Sequence, residues 1–400
     1  MPSQEKGFLL KAVIIVCIAL IGSLLALEGG LRLLADTGKF DRQLSIFGKE
    51  RPPLDSKTGG GMYYAHHYSA YALKPGYTSG VRERINSLGF RGEEISLAKP
   101  EGVYRILAVG GSTTFGVYLP WNETYPYYLQ EVLRARFGTD AIEVINAGLT
   151  GSTAAESFHR LPTQLLPTDP DMVVVYHAFN DLLPRVFNGY EDDYYHFRRS
   201  DPNNPPGFTR SYLYRLTLRV LSPAYFHENY NLSNLVWKTQ NLPETDTELA
   251  QNFLSSNNDA FRFNMDNIIT LLRAKDITVV LATFAMSPDL WHWQEIIPPF
   301  MWEIGIRENN EVIRELASEH QLPLVPFAEV PVKQGVKAYD APMYDDSIHM
   351  SPSGNRFKAE VFADTIAPLI AEKLNVPVPP ASKFAVSAAS TNVSESSLGQ

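Results

Sequence analysis

Between residues 104 and 327 the chain alternates two patterns. Short, β-branched apolar runs occur at "YRILAVG" (104–110), "IEVINAG" (142–148), "MVVVYHA" (172–178), "ITVVLATF" (277–284) and "LPLVPF" (322–327). Between them lie stretches with helical spacing, such as "TYPYYLQEVLRARFG" and "NNDAFRFNMDNIITLLRAKD", and a last one, "SPSGNRFKAEVFADTIAPLIAEKL", closes the series. Strands that are apolar throughout and separated by helices belong to a parallel sheet covered on both faces. The pattern therefore predicts a three-layer α/β/α sandwich on a five-stranded parallel sheet. In such sheets function gathers at the carboxyl ends of the strands.

The flanks read differently. "FLLKAVIIVCIALIGSLLAL", Phe8 to Leu27, is apolar apart from Lys11. About 20 helical residues cross a hydrocarbon core of ~30 Å, and a lysine near one end can snorkel to the interface. "SLLALEGG" lacks the small-residue pattern of a cleavage site, so residues 1–30 are expected to be one transmembrane signal anchor. Its short basic start places the N-terminus in the cytoplasm and the globular part outside it. Residues 31–102 are expected to be a juxtamembrane stem and lead-in, with the Pro- and Gly-rich "RPPLDSKTGGG" as loop. The alternating strand–helix pattern, the main domain, occupies 103–376. It is interrupted at 183–250 by an aromatic-rich insert, of the length of a lid or binding loop. The Ser/Ala/Pro-rich residues 377–400 are expected to be disordered.

Composition narrows the function. A net charge of −9 with no Lys/Arg cluster argues against nucleic acid as a partner. The single cysteine, Cys17, forbids an internal disulfide. No HExxH or CxxC spacing occurs, so no metal and no cofactor are expected.

The segments after the strands hold chemistry. Gly110-Gly111-Ser112-Thr113-Thr114 follows the first run, "NAGLTGSTAAES" the second and "HAFND" the third; "YDDSIHMSPSGN" precedes the last helix. Alone, Ser112 could be a nucleophile, a phosphate-loop residue or a helix cap. The phosphate loop lacks both the Walker lysine and GxGxxG spacing. A serine nucleophile needs a base, which His349 offers, and a carboxylate to orient that base, which Asp346 offers three residues earlier. An oxyanion needs fixed donors. The backbone N–H of Gly151, the N–H of Ser112 and the carboxamide of Asn180 would supply them.

In these residues the chain resembles the SGNH (GDSL-type) hydrolases. "GGSTT", "NAGLTGST", "AFND" and Asp346-Ser-Ile-His349 correspond, in order, to the family's four blocks. The resemblance spans about residues 104 to 374 and implies a flavodoxin-like sheet. It also implies Ser112 as nucleophile, Gly151 and Asn180 as oxyanion donors, and an Asp346–His349 pair. The family's "GDS" is "GGS" here, with Gly111 for Asp, and the glycine of its "GxND" is Ala178. "NSLGFRGEE" also resembles membrane-anchored bacterial members, which implies acyl groups on envelope carbohydrate or lipid. The expected function is a serine esterase acting on such esters, acetyl first among them, through an acyl-Ser112 intermediate. An O-acetyltransferase of an envelope glycan and a non-catalytic assembly module remain the alternatives.

Other residues have plainer readings. Asp181 suits a capping role, and Asp345 misses the D-x-x-H spacing. His177 is expected to be a buried, hydrogen-bonded histidine. His66 and His67 should point to opposite faces of an extended segment. "NET" at Asn122 and "NLS" at Asn231 have the form of sequons.

Overall fold

The computed structural model describes residues 3–36, 62–66, 69–194, 196–197, 211–222, 243, 245–287, 299–330 and 343–382. His67, the Asn231 sequon, much of the 183–250 insert and the tail from residue 383 lie outside the described residues. Two compact units divide the chain: Met1–Lys74 with Arg198–Thr239, and Pro75–Phe197 with Gln240–Gln400.

The smaller unit contains helix α1 (Ser3–Asp36), a hairpin of β1 (Tyr63–His66) and β2 (Ala70–Leu73), and a later helix, Tyr212–Leu221. The stretch Lys11–Leu34 of α1 has the length and composition of a membrane span or signal sequence. Its apolar side chains are outward, Ile15 at 66% and Leu25 at 67% exposed. Near its end, Glu28 pairs with Arg32 at 2.8 Å. The Glu28 carboxylate also accepts hydrogen bonds from Ser211 Oγ (2.8 Å) and from the N–H groups of Tyr212 (3.1 Å) and Leu213 (2.8 Å). A helix start leaves its first N–H groups without intrahelical partners, and an acceptor there is stabilising. Thus a carboxylate on the apolar helix caps a helix that begins 184 residues later.

The larger unit carries the sheet. After a small hairpin of β3 (Thr78–Ser79) and β4 (Glu83–Arg84) come β5 (Tyr104–Gly110), β6 (Ile142–Asn146), β7 (Met172–Tyr176), β8 (Thr278–Ala282) and β9 (Leu324–Val325). All five sheet strands are parallel, in the order β6-β5-β7-β8-β9. This is the expected fold class, and each observed strand lies within an apolar run. The helices between them are α2 (Ser112–Phe115), α3 (Tyr125–Phe137) and α4 (Ala154–Arg160). Numbering continues through Tyr212–Leu221 as α5, then α6 (Asp246–Ser255), α7 (Asp259–Arg273), α8 (Pro299–Glu319) and α9 (Pro352–Leu374).

Side chains alternate across a strand. Leu107, Val109, Val173, Val175, Val279 and Leu281 therefore point to one face, where they meet Phe261, Met265 and Ile268 of α7 and Ile313 of α8. On the other face Tyr176 meets Tyr125 of α3 and Phe362 of α9. The fully buried Lys358 amine lies 3.3 Å from the centroid of the Tyr176 ring and 4.1 Å from that of Tyr125. Burial pushes its ammonium well below the usual lysine range.

At the opposite end of the sheet, Arg105 is wholly buried. Its guanidinium pairs with Glu143 at 2.6 Å and donates to the carbonyls of Ser96 (2.9 Å), Leu97 (3.2 Å) and Thr168 (2.5 Å). The strand order puts the switch point between β5 and β7: the chain leaves β5 for β6 on one side and leaves β7 for β8 on the other.

If Glu28 is the cap of α5, its replacement should loosen that helix first. In hydrogen exchange, Glu28→Leu is expected to speed exchange at Tyr212 and Leu213 by about fivefold or more, the size of a lost cap near 1 kcal/mol. Amides of β5 and β7 serve as the unchanged reference.

Candidate active site

Ser112 opens α2 directly after β5, with Gly111 as the residue before the helix. The side chain lies at the carboxyl edge of the sheet and is nearly covered, the residue being 8% exposed. His349 reaches it from the segment before α9, with Nε2 at 2.8 Å from Ser112 Oγ. The other ring nitrogen, Nδ1, is 2.7 Å from Asp346 Oδ2. These distances make one continuous chain of hydrogen bonds, Ser112–His349–Asp346, across 237 residues of sequence.

The D-x-x-H turn is locked by its own backbone. Asp346 Oδ1 accepts the N–H of Ile348 (2.9 Å) and of His349 (2.7 Å), and Asp345 N–H donates to the His349 carbonyl at 2.8 Å. Burial works to raise the Asp346 pKa. The hydrogen bond and charge of His349 and the two N–H donors outweigh it and hold the carboxyl down at about 2. Asp346 is thus an anion through the neutral range, on the imidazole nitrogen that faces away from Ser112.

Two further loops flank Ser112. After β6 the chain turns at Gly151, whose φ of 74° lies in the left-handed region that a side chain disfavours. After β7, Asn180 stands in a short helical turn, Phe179–Leu182, and its Nδ2 donates to the Ser152 carbonyl at 2.8 Å. The Asn180 carboxamide occupies the space where a β-carbon of residue 111 would sit. A β-carbon at 111 would meet the Asn180 amide nitrogen and push it aside. The expected residues Ser112, Asp346, His349, Gly151 and Asn180 all fall at this one edge of the sheet.

A second polar chain, which the sequence did not reveal, braces the Gly151 loop. His177 Nε2 lies 2.8 Å from Ser157 Oγ, and Ser157 Oγ 3.3 Å from Ser152 Oγ, which donates to the Thr153 carbonyl at 3.1 Å. A hydroxyl has one proton. Ser152 gives its proton to Thr153, so Ser157 gives to Ser152 and accepts from an Nε2–H of His177. Burial lowers the His177 pKa to about 4, so it is neutral near pH 7. Asp181 accepts the N–H of Ala154 with both oxygens, at 3.1 Å each, as a cap on α4. Glu156 and Thr153 complete a capping box on the same turn. The one sequence signal for this brace was the position of His177 beside "AFND"; Ser152 and Ser157 carry no signature.

The recess beside Ser112 is walled by Asn180, Ala178, Phe179, Phe284 and Ile348. Its volume, about 10 Å³, compares with the roughly 10–15 Å³ one water requires on the same measure. A larger cleft, of about 180 Å³, runs along edge strand β6 between Trp121 and Glu143 and contains none of the expected residues. Among the described residues, no group of three His, Cys, Asp or Glu side chains is arranged to hold a metal ion.

No curated protein matches the chain. Among solved structures, it is similar to a catalytic mutant of Axe2, an acetylxylan esterase from Geobacillus stearothermophilus. The identity is 13%, the match covers 71% of this chain and 100% of that one, and the TM-score is 0.41. It is also similar to a GDSL-like lipase from Parabacteroides merdae, at 14% identity, 66% and 94% coverage and TM-score 0.42. A family model matches residues 108–357, from the end of β5 into α9 and across every segment described above, and the chain belongs to the GDSL-like lipase/acylhydrolase family.

Proposed function

We propose that the protein is a serine esterase that removes short acyl groups, acetyl foremost, from an envelope carbohydrate or lipid. The observation that carries this reading is the Ser112–His349–Asp346 chain, at 2.8 and 2.7 Å, beside the Asn180 carboxamide. Ser112 Oγ attacks the ester carbonyl while His349 Nε2 takes its proton. The Asp346 anion stabilises the imidazolium that forms. Charge developing on the carbonyl oxygen is met by the N–H of Ser112, the N–H of Gly151 and Nδ2 of Asn180. His349 then returns the proton to the departing alcohol, leaving acyl-Ser112. A water molecule, deprotonated by the same imidazole, hydrolyses the acyl-enzyme and frees the acid. His177 does not compete as a base, because burial lowers its pKa to about 4 and its Nε2 is engaged with Ser157.

The recess supports a short acyl group. A space of about one water suits a methyl group. The helix α1 supports a single N-terminal anchor, with the hydrolase domain of residues 103–376 outside the cytoplasm. A sugar hydroxyl replacing water in the second half would make the same site an O-acetyltransferase. The intact hydrogen-bond chain favours either enzyme over a non-catalytic module.

Three measurements test the reading. Wild-type protein should hydrolyse p-nitrophenyl acetate far faster than p-nitrophenyl octanoate, and Ser112→Ala should lower acetate release by about 10³-fold or more. Equal rates for wild type and variant would end the catalytic reading, and acetyl transfer to an added glycan in excess of hydrolysis would favour the transferase. Gly111→Ala should push the Asn180 amide away and cost about 10²-fold in kcat with KM little changed, the signature of a lost oxyanion donor. An unaltered kcat would exclude that role for Asn180.

The third is a stability profile. Asp346 has its folded pKa lowered from 3.8 to about 2, so its contribution is present above the unfolded value and lost as pH falls through the folded one. That shift corresponds to about 2 kcal/mol. Urea unfolding of Asp346→Asn should therefore show a deficit at pH 6 that closes between about pH 4 and pH 2. A deficit independent of pH would contradict the assignment of the charge.

A further inference from the structure

Tyr118 combines three properties that the reaction as described does not use. Its φ is 73°, in the left-handed region that glycine and asparagine accept and a bulky aromatic residue avoids. Its ring stands edge-on to the His349 imidazole, with centroids 5.6 Å apart and planes at 80°. It is nonetheless 48% exposed. A hydrophobic residue held in a disfavoured backbone conformation and left half in water gains little from burial. Such strain persists where the surrounding structure imposes it, and it collects at functional sites.

The imposition here comes from Ser112 itself. The Ser112 carbonyl accepts the N–H groups of Gly116 (2.8 Å) and Val117 (3.2 Å), and Leu119 N–H closes the turn on the Gly116 carbonyl at 3.2 Å. From the other side, the Arg91 guanidinium holds the Leu119 carbonyl at 2.6 Å. The turn that carries Tyr118 thus hangs on the backbone of the residue whose hydroxyl meets His349, and its position relative to that hydroxyl is set. Asp346 also acts on the Tyr118 phenol at a distance. Burial first, and the Asp346 charge second, raise its pKa, so the ring remains neutral and uncharged beside the imidazole.

The direction of the chemistry says which part of a substrate meets this ring. On the esterase reading, the acyl group takes the recess beside Ser112 that Phe179, Phe284 and Ile348 line. The alcohol must lie next to His349 Nε2, which hands it a proton. A ring packed against His349 and open to solvent therefore borders the alcohol, not the acyl group. We propose that Tyr118 is a specificity residue that forms one wall of the alcohol subsite and receives the flat C–H face of a sugar ring. The class of substrate is then an O-acetylated pyranoside instead of an ester of a flexible lipid alcohol. The electron-rich face of an aromatic ring attracts the weakly positive C–H groups of a pyranose. A glycerol backbone presents no such face. The proposal rests on the esterase reading above and adds the carrier of the acyl group to it.

The test compares alcohols that share one acyl group. Methyl acetate, glycerol triacetate and an acetylated xylo-oligosaccharide are offered to the full chain in detergent. The variants are Tyr118→Asn, which keeps the left-handed backbone and removes the ring, and Tyr118→Phe, which keeps the ring. Tyr118→Asn should lose about tenfold more kcat/KM on the acetylated sugar than on methyl acetate, chiefly through KM. Tyr118→Phe should recover most of that sugar preference. Should the Asn variant not fold, Tyr118→Gly accepts the same backbone and the same comparison decides. Equal losses on sugar and methyl ester would overturn the proposal, because the ring would then act only on His349. A loss on glycerol triacetate as large as on the sugar would overturn the sugar assignment in favour of a lipid-type alcohol. Wild-type protein with no Ser112-dependent turnover of methyl acetate would remove the esterase reading itself, and the subsite with it.

Discussion

The position of β5 in the sheet is the constraint on which the site depends. A parallel strand must be followed by a crossover, and neighbouring crossovers that leave in opposite directions open a crevice at the strand's carboxyl end. β5 has β6 on one side and β7 on the other, so the Gly151 turn and the Asn180 turn rise on either flank of Ser112. No local signal near Ser112 could create this arrangement. It follows from strand order alone, and the strand order follows from the need to cover both faces of an apolar sheet. α7 and α8 cover one face, and α3 and α9 cover the other.

Within that crevice the polar groups are held by one another. The Asn180 carboxamide touches Gly111, donates to Ser152 and thereby joins the loop after β6 to the loop after β7. His177, Ser157 and Ser152 brace the same loop from below, and Asp181 caps the helix that follows it. Buried polar groups are costly unless each finds a partner, and a satisfied network holds its members in one arrangement. The two buried histidines illustrate how context separates like residues. His177 lies against the Ser157 hydroxyl and burial lowers its pKa, whereas His349 has the Asp346 carboxylate at 2.7 Å.

The smaller unit follows a different logic. Its apolar helix presents its side chains outward, and the Glu28 carboxylate is satisfied by a helix from the distant insert. From sequence, 183–250 reads as a single long interruption. The described part of it that includes Tyr212–Leu221 belongs with the N-terminal helix, and residues from 240 onward belong with the sheet. Helix capping across such a separation leaves no periodic trace, because an acceptor such as Glu28 needs only to be near the donors in space.

What the sequence by itself determined is the set of parts that obey local rules. Five apolar runs specified five parallel strands, since an all-apolar strand must be buried on both faces. The D-x-x-H spacing specified the Asp346–His349 contact, since a three-residue turn brings those side chains together. Ser112, Gly151 and Asn180 were legible only together: each alone fits a cap or a turn, and it is the order of the four segments that resembles the family's blocks. Only the tertiary structure decided the rest. It decided that a β-carbon at residue 111 would displace the Asn180 amide, a group 69 positions away. It decided the His177–Ser157–Ser152 brace, whose members share no spacing. It also decided that Tyr118 takes a left-handed backbone against His349, because backbone strain is imposed by the hydrogen bonds of neighbouring loops and has no code in the residue that bears it.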